Sequence, residues 1–211
     1  MRKLLITFMV CATAWTASWA QQSALESRMS PKLRQFMVYH PAALKSLTSS
    51  FSEVFSNRTA WVYYFYSDDE SEARAYHFYP NTLDLPQVVI CVRENQQRLD
   101  EFITLLFETL NSKGEKRFAT LFEEARAGSI SKGEFAREIL RLEFEATKST
   151  RALLLALKFN RKETSRSHYY RLFVECPSGF EDFLSYSKRV SGKRDAIKEY
   201  EAKYDSIRQG H

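Results

Sequence analysis

Apolar residues recur at intervals of three and four along most of the chain, which is the spacing of amphipathic helices. Ser30-Pro31 opens the first such stretch, since serine caps a helix and proline fits its first turn. Ser131 and Glu134 form a capping box before the longest stretch. The pattern predicts helices at about 31–40, 42–56, 95–112, 115–127, 132–159, 180–189 and 193–208.

Short runs of aromatic and β-branched residues predict strands between these helices. Residues 60–66 are apolar at both odd and even positions, which is typical of a strand covered on both faces. A polar turn joins them to 73–79, so the two runs are predicted to form a β-hairpin. Residues 87–92 give a short buried strand, and 168–175 give a last one.

The order of these elements predicts an α+β fold in a single domain over residues 21–211. In it, a small and mainly antiparallel sheet packs against a helical bundle dominated by 95–112 and 132–159. The chain shows no internal repeat and no long low-complexity linker, which favours one domain over two.

The first 20 residues have the three parts of a secretory signal peptide. Arg2 and Lys3 supply positive charge, and an apolar stretch runs from Leu4 to Ala17. Small residues then precede a predicted cleavage after Ala20. The alternative is a retained anchor, but the apolar stretch is shorter than the roughly 20 residues that span a bilayer. We therefore expect an exported protein, periplasmic or secreted, with no transmembrane segment after cleavage.

The charge balance argues against nucleic acid as the partner. The whole chain carries a net charge of +5, and loss of Arg2 and Lys3 with the leader lowers it to +3. A nucleic-acid-binding protein needs a concentrated basic face. In the charged region 188–208, basic and acidic residues alternate, which is typical of a solvated helix; attraction to an anionic envelope surface is the alternative.

Two cysteines, Cys91 and Cys176, remain after cleavage of the leader. In an oxidising compartment, two cysteines indicate one disulfide, and both lie at the ends of predicted strands. The alternative is two separate buried thiols.

Most familiar catalytic patterns are missing from the sequence. It contains no glycine-rich phosphate loop, no G-x-S-x-G elbow and no pair of histidines at the spacing of a helical zinc site. A Ser/His/Asp triad remains open, because its members meet only in space. No cofactor is predicted.

One arrangement of elements carries a resemblance. A strand at 87–92 leads into a helix containing Phe-Glu-Thr-Leu-Asn at 107–111, and a later helix contains Glu143. The stretch 87–158 resembles the core of a zincin-like, gluzincin-type metallopeptidase. In that family, a His-Glu-x-x-His helix supplies two zinc ligands and the catalytic Glu, and a later Glu is the third ligand.

The resemblance implies a role for four positions. Phe107 and Asn111 stand where the family has its zinc-binding histidines, Glu108 matches the catalytic Glu, and Glu143 matches the third ligand. A phenyl ring has no lone pair, and an amide oxygen is a poor zinc ligand. The resemblance therefore implies a metal-free relative of a peptidase, whose groove could bind peptide without cutting it.

Each candidate residue also has a structural explanation. Glu108 falls opposite the apolar stripe of its predicted helix, which indicates a solvated face. Glu143 falls inside an apolar arc, where a carboxylate needs a partner, such as an arginine, or a shifted pKa. Tyr63, Tyr76 and Tyr79 could line a binding surface, although strand tyrosines are often packing residues.

The leading function is an exported, non-catalytic binding or interaction protein with an unidentified peptide or protein partner, on the degenerate zincin-like scaffold. The first alternative is a hydrolase in which Glu108 and Glu143 are acid–base carboxylates, with His77 or His168 brought close. The second is a structural protein of the cell envelope.

Overall fold

The structure, a computed structural model, describes residues 25, 29–55, 59–65, 75–78, 87–93, 96–190 and 195–210. The chain divides into two compact units, Met1–Leu105 and Leu106–His211, which are described separately. The predicted leader and its cleavage after Ala20 lie outside the described residues, and the single domain stays a prediction.

The first unit begins with two helices, α1 at Pro31–Tyr39 and α2 at Pro41–Phe55. The Ser30 hydroxyl accepts a hydrogen bond from the backbone N–H of Leu33 at 3.0 Å, so it caps α1 as the sequence predicts. Both helices bury an apolar stripe. The stripe residues are Leu33, Phe36, Met37, Ala43, Leu47, Phe51, Val54 and Phe55.

The strands of the first unit form one mixed sheet. β1 is Thr59–Phe65, β2 is Ala75–Phe78 and β3 is Gln87–Arg93, in the order β1-β3-β2. β3 pairs in parallel with β1 and antiparallel with β2, so the predicted hairpin over 60–79 is wrong. β3 is the central strand, and its Ile90 and Val92 are fully buried.

The second unit is helical throughout its described residues. Helix α3, Arg98–Asn111, contains the boundary between the units and runs into a 3₁₀ turn at Ser112–Gly114. The remaining helices are α4 Glu115–Ala127, α5 Lys132–Leu157, α6 Arg161–Thr164, α7 His168–Val174, α8 Phe180–Val190 and α9 Ala196–Arg208. The 26-residue α5 contacts α4, α7, α8 and α9, so it is the central element.

Two apolar clusters lie along α5. The larger one joins α4, α5 and α9 and consists of Phe118, Leu121, Ala125, Ile130, Phe135, Ile139 and Ile207. Phe122, Leu142, Tyr200 and Tyr204 pack against it. The smaller one consists of Phe144, Cys176, Phe183 and Tyr186. α9 therefore docks through an apolar face, although its sequence is mostly charged.

The predicted α+β fold is wrong, because the described part of the chain is mostly helical and its strands are three short ones. The predicted strand at 168–175 is the helix α7. The Ser167 hydroxyl caps it by accepting from the Tyr170 N–H at 2.9 Å, and the rings of Tyr169 and Phe173 meet one turn apart at 6.4 Å. A short aromatic run fits a strand or a helix equally well, and here the cap favours the helix.

Among the described helices, none has the length and apolar character needed to cross a bilayer.

Ser131→Ala is expected to lower the free energy of unfolding by about 1 kcal/mol, since the hydroxyl accepts from the Glu134 N–H at 3.3 Å and caps α5. Urea unfolding measures the loss. Ser149→Ala on the same helix is the matched control, because its hydroxyl donates only to the Glu145 carbonyl within the helix. Alanine is the better helix former there, so the control should be neutral or slightly stabilising.

Candidate functional site

The carboxylate of Glu143 and the phenol of Tyr200 form the centre of the candidate site. Glu143 lies on α5 and Tyr200 on α9, and both side chains are half-buried. The Tyr200 hydroxyl donates a hydrogen bond to Glu143 Oε1. The sequence indicates that Glu143 needs a partner, and the structure provides the Tyr200 hydroxyl.

Glu108 lies on α3 and is only 6% exposed, so its side chain does not lie on the solvated face that the helical pattern indicates. The charge of Glu108 acts on the pKa of Tyr200. Burial, then the charge and hydrogen bond of Glu143, and then the charge of Glu108 raise the pKa of Tyr200 well above its usual value. Glu143 therefore contacts this phenol directly, and Glu108 acts on it through its charge. We call Glu108, Glu143 and Tyr200 the Glu–Tyr cluster.

The raised pKa defines what Tyr200 can do. Its phenol stays protonated over the physiological range, so it is a hydrogen-bond donor and not a nucleophile. A carboxylate that accepts from such a donor is held in place and partly compensated for its burial. The Glu143–Tyr200 pair thus has the properties of a satisfied polar contact between two helices.

The two positions that match zinc-binding histidines do not suit a metal ion. The Phe107 ring packs against Phe173 of α7, with 5.3 Å between the ring centres. Asn111 is buried, and its Oδ1 accepts no hydrogen bond from the described part of the chain. Glu143 alone offers a carboxylate, so these residues do not fit a catalytic zinc. Within the described residues, no three His, Cys, Asp or Glu side chains group together in a way that could hold a metal.

Within the described part of the second unit, His168 makes no hydrogen bond or ion pair with this cluster. His168 is exposed at the start of α7, and its ring contacts Tyr169 at 6.1 Å. His77 lies in β2, and its side chain is not described.

The predicted tyrosine surface is described only through its backbone. Tyr63 of β1 and Tyr76 of β2 both pair with Cys91 of β3, so the three residues form one row across the sheet. Tyr79 lies outside the described residues. A binding role for Tyr63, Tyr76 and Tyr79 stays a prediction.

The cysteines are both buried, and no disulfide joins them in the described part of the chain. The Cys176 thiol lies in the smaller apolar cluster and donates to the Pro177 carbonyl at 3.6 Å. Burial raises its pKa, against a smaller opposite effect of Arg151. The structure gives no support to the predicted Cys91–Cys176 disulfide. A mass gain of two hydrogens on reduction would support it.

A shallow groove of about 190 Å³ lies where α8 and the start of α9 pass over Leu140 of α5. Leu184 and Ile197 line it, and the ion pair between Lys188 and Asp195, at 3.3 Å, lies on its rim. Small-molecule sites usually enclose about 300–1,000 Å³. The groove suits a single side chain of a larger partner better than a small substrate.

Tyr200 is the site residue that sequence reasoning missed, because the charges around it indicate a solvated helix. The spacing of apolar residues in this region does indicate that Tyr200 lies on a packed face. Ile197, Tyr200, Tyr204 and Ile207 recur at intervals of three and four, which is the stripe of an amphipathic helix.

Comparison with known proteins identifies no protein that is significantly similar to this chain. No family model matches the chain, and neither a curated protein nor a solved structure is significantly similar to it. The zincin resemblance therefore depends on residues 107–111 and Glu143, and stays a hypothesis.

Proposed function

We propose that the protein is an exported, non-catalytic interaction protein that binds a peptide or protein partner on a degenerate metallopeptidase-like scaffold. The proposal of export is supported by the signal-peptide pattern of residues 1–20. The loss of catalysis is supported by Phe107, whose ring is engaged with Phe173 in the position of a zinc ligand, and by Asn111, a poor ligand.

The observation that carries the proposal is the hydrogen bond from Tyr200 to Glu143. A catalytic carboxylate must be able to reach substrate or a water molecule. Here the Glu143 carboxylate is directed at a phenol that stays protonated and lies against the apolar cluster of α4, α5 and α9. This arrangement stabilises the packing of α9 on α5.

The hydrolase remains the second candidate, and one observation favours it. Glu108 and Glu143 both raise the pKa of Tyr200, so the charges of two carboxylates lie within electrostatic range of one phenol. Paired carboxylates are the usual acid and base of hydrolases that cleave glycosidic bonds.

Glutamine variants separate the two candidates. We expect Glu108→Gln and Glu143→Gln to leave hydrolysis of casein and of nitrophenyl glycosides at the level of the unmodified protein, with or without added zinc. Glu145→Gln is the matched control, since Glu145 is exposed on α5 and pairs with Lys148 at 2.7 Å. If the carboxylates are an acid–base pair, both cluster variants should lose activity by about 10²–10⁴-fold while the control keeps it.

Export is tested separately by the mass of the protein recovered from outside the cytoplasm. A chain that begins at Gln21 supports the proposal, and one that still begins at Met1 contradicts cleavage after Ala20.

A further inference from the structure

The excess positive charge of the chain is concentrated in one stretch. Between residues 146 and 174, seven Lys and Arg side chains stand against a single acid, Glu163. Seven cations and one acid give this stretch a net charge of +6, whereas the net charge of the whole chain is +5. The rest of the chain is therefore nearly balanced in charge. Most of these cations lie in residues 158–171, which we call the basic segment.

The basic segment begins at the residue that follows α5, includes α6, and ends within α7. Its five Lys and Arg side chains are all exposed, and none makes an ion pair with any residue in the described part of the chain. They are Lys158, Arg161, Lys162, Arg166 and Arg171. The acid Glu163 is half-buried and accepts a hydrogen bond from Asn160 Nδ2 at 2.6 Å, as part of the cap of α6.

Elsewhere in the second unit, several exposed cations are paired. Arg126 pairs with Glu123, Arg137 with Glu181, and Lys188 with Asp195. Lys188 belongs to the charged region 188–208, where the sequence suggested an anionic surface as one alternative. Lys116, Lys198 and Lys203 are also exposed without an ion pair in the described residues, so the basic segment is distinguished by having five such cations close together in the sequence.

Apolar side chains accompany these cations. Leu155, one turn before Lys158, is 48% exposed. Phe159 and Tyr170 are half-buried and meet edge to face, with 6.4 Å between the ring centres. Cations beside partly exposed apolar and aromatic groups match the boundary of a bilayer, where headgroups are charged and acyl chains begin.

We propose that the basic segment binds the surface of an anionic phospholipid bilayer, with its five cations at the headgroups and Leu155 at the acyl boundary. Nucleic acid is a poorer match, because Phe159 and Tyr170 contact each other and are not presented for base stacking. The interaction is peripheral and does not depend on whether the Glu–Tyr cluster is catalytic.

Co-sedimentation with vesicles tests the proposal on the exported protein. Binding to vesicles of equal parts phosphatidylcholine and phosphatidylglycerol is expected, with little binding to phosphatidylcholine alone. The variant Arg161→Gln, Lys162→Gln, Arg166→Gln should bind the anionic vesicles about a hundredfold more weakly, since each basic side chain at such a surface contributes about fivefold. Raising the salt from about 0.05 M to about 0.5 M should also weaken binding.

The control is Arg126→Gln, Arg137→Gln, Lys188→Gln, which removes the same charge from paired positions and should bind within about twofold of the unmodified protein. An equal loss in both triple variants would overturn the proposal, as would equal binding to neutral vesicles or a preference for RNA over anionic vesicles.

A second measurement does not depend on the folding of the triple variants. Leu155→Trp places a fluorescent reporter at an exposed position. Its emission should shift to shorter wavelength with anionic vesicles, relative to the protein without this tryptophan. An unshifted emission in the presence of bound vesicles contradicts the placement of Leu155 at the acyl boundary.

Discussion

Phe135→Ala should lower the free energy of unfolding by about 3–5 kcal/mol, the usual cost of removing a buried phenyl ring from a packed core. Phe135 is fully buried, and its ring contacts those of Phe122 and Tyr204, each at 5.7 Å between centres. It therefore joins α4, α5 and α9. Since small proteins are stable by only about 5–15 kcal/mol, the loss should be obvious in urea unfolding.

Phe122→Ala is the control for this substitution. Phe122 belongs to the same aromatic group but is only partly buried, so its removal leaves a smaller cavity and should cost clearly less. Equal losses at both positions would show that α9 does not cover Phe135 in solution.

Tyr200→Phe is expected to lower the free energy of unfolding by about 1–3 kcal/mol at neutral pH, because it removes the hydroxyl that donates to Glu143. Urea unfolding measures this loss. Tyr204→Phe is the matched control on the same helix, since its hydroxyl donates to the neutral Ile130 carbonyl at 2.9 Å. A hydrogen bond to a neutral acceptor should cost about 1 kcal/mol.

The loss in free energy of unfolding caused by Tyr200→Phe should also depend on pH. The folded protein holds the pKa of this phenol above its value of about 10 in the unfolded chain, so unfolding releases a proton at alkaline pH. The stabilisation is complete below about pH 10 and declines as the pH rises further. The difference between the unmodified protein and Tyr200→Phe should therefore shrink from about pH 8 to about pH 11.

A double-mutant cycle of Tyr200→Phe with Glu143→Gln measures the interaction free energy between the two side chains. If the hydroxyl stabilises the protein through the charged carboxylate, the two substitutions should be non-additive by about 1 kcal/mol or more. Additive losses would mean that the hydrogen bond contributes nothing to stability, and that Glu143 is available for another role.

Local signals in the sequence account for most of the helices, although α7 was predicted as a strand. The break at His40-Pro41 separates α1 from α2, and Gly128 ends α4 in the left-handed conformation at φ 73°, as glycine does after a helix. The end of α5 was placed two residues late. Lys158 adopts a left-handed conformation at φ 49°, which few non-glycine residues adopt and no sequence signal announces.

The pairing of the strands could not be predicted in the same way. β1 and β2 are neighbours in sequence, and the turn between them suggested a hairpin. Their common partner is β3, which forms a parallel pair with β1 across more than twenty residues. Such a pairing depends on tertiary contacts, and the apolar pattern of one strand carries no information about which strand lies beside it.

The site was predicted in part. Glu143 was singled out by the metallopeptidase resemblance, and its place in an apolar arc indicated that it needs a partner, which is a local argument. Glu108 was assigned to a solvated face, since a helical wheel shows which side of a helix is apolar but not what surrounds it. α3 buries polar side chains as well as apolar ones, among them Thr104, Glu108 and Thr109. Such a helix breaks the rule that the polar face is exposed.

The central position of β3 gives the sheet an order of assembly. The ribosome completes β1 and β2 first, and neither has its partner until residues 87–93 have been made. Until then both strands present unpaired backbone groups, which can template pairing with other chains. In the described sheet each of these strands keeps one outer edge, whereas a nascent chain that stalls or is cut before residue 87 would leave both edges of each strand unpaired. Synthesis of β3 therefore halves the exposed edges that can template aggregation.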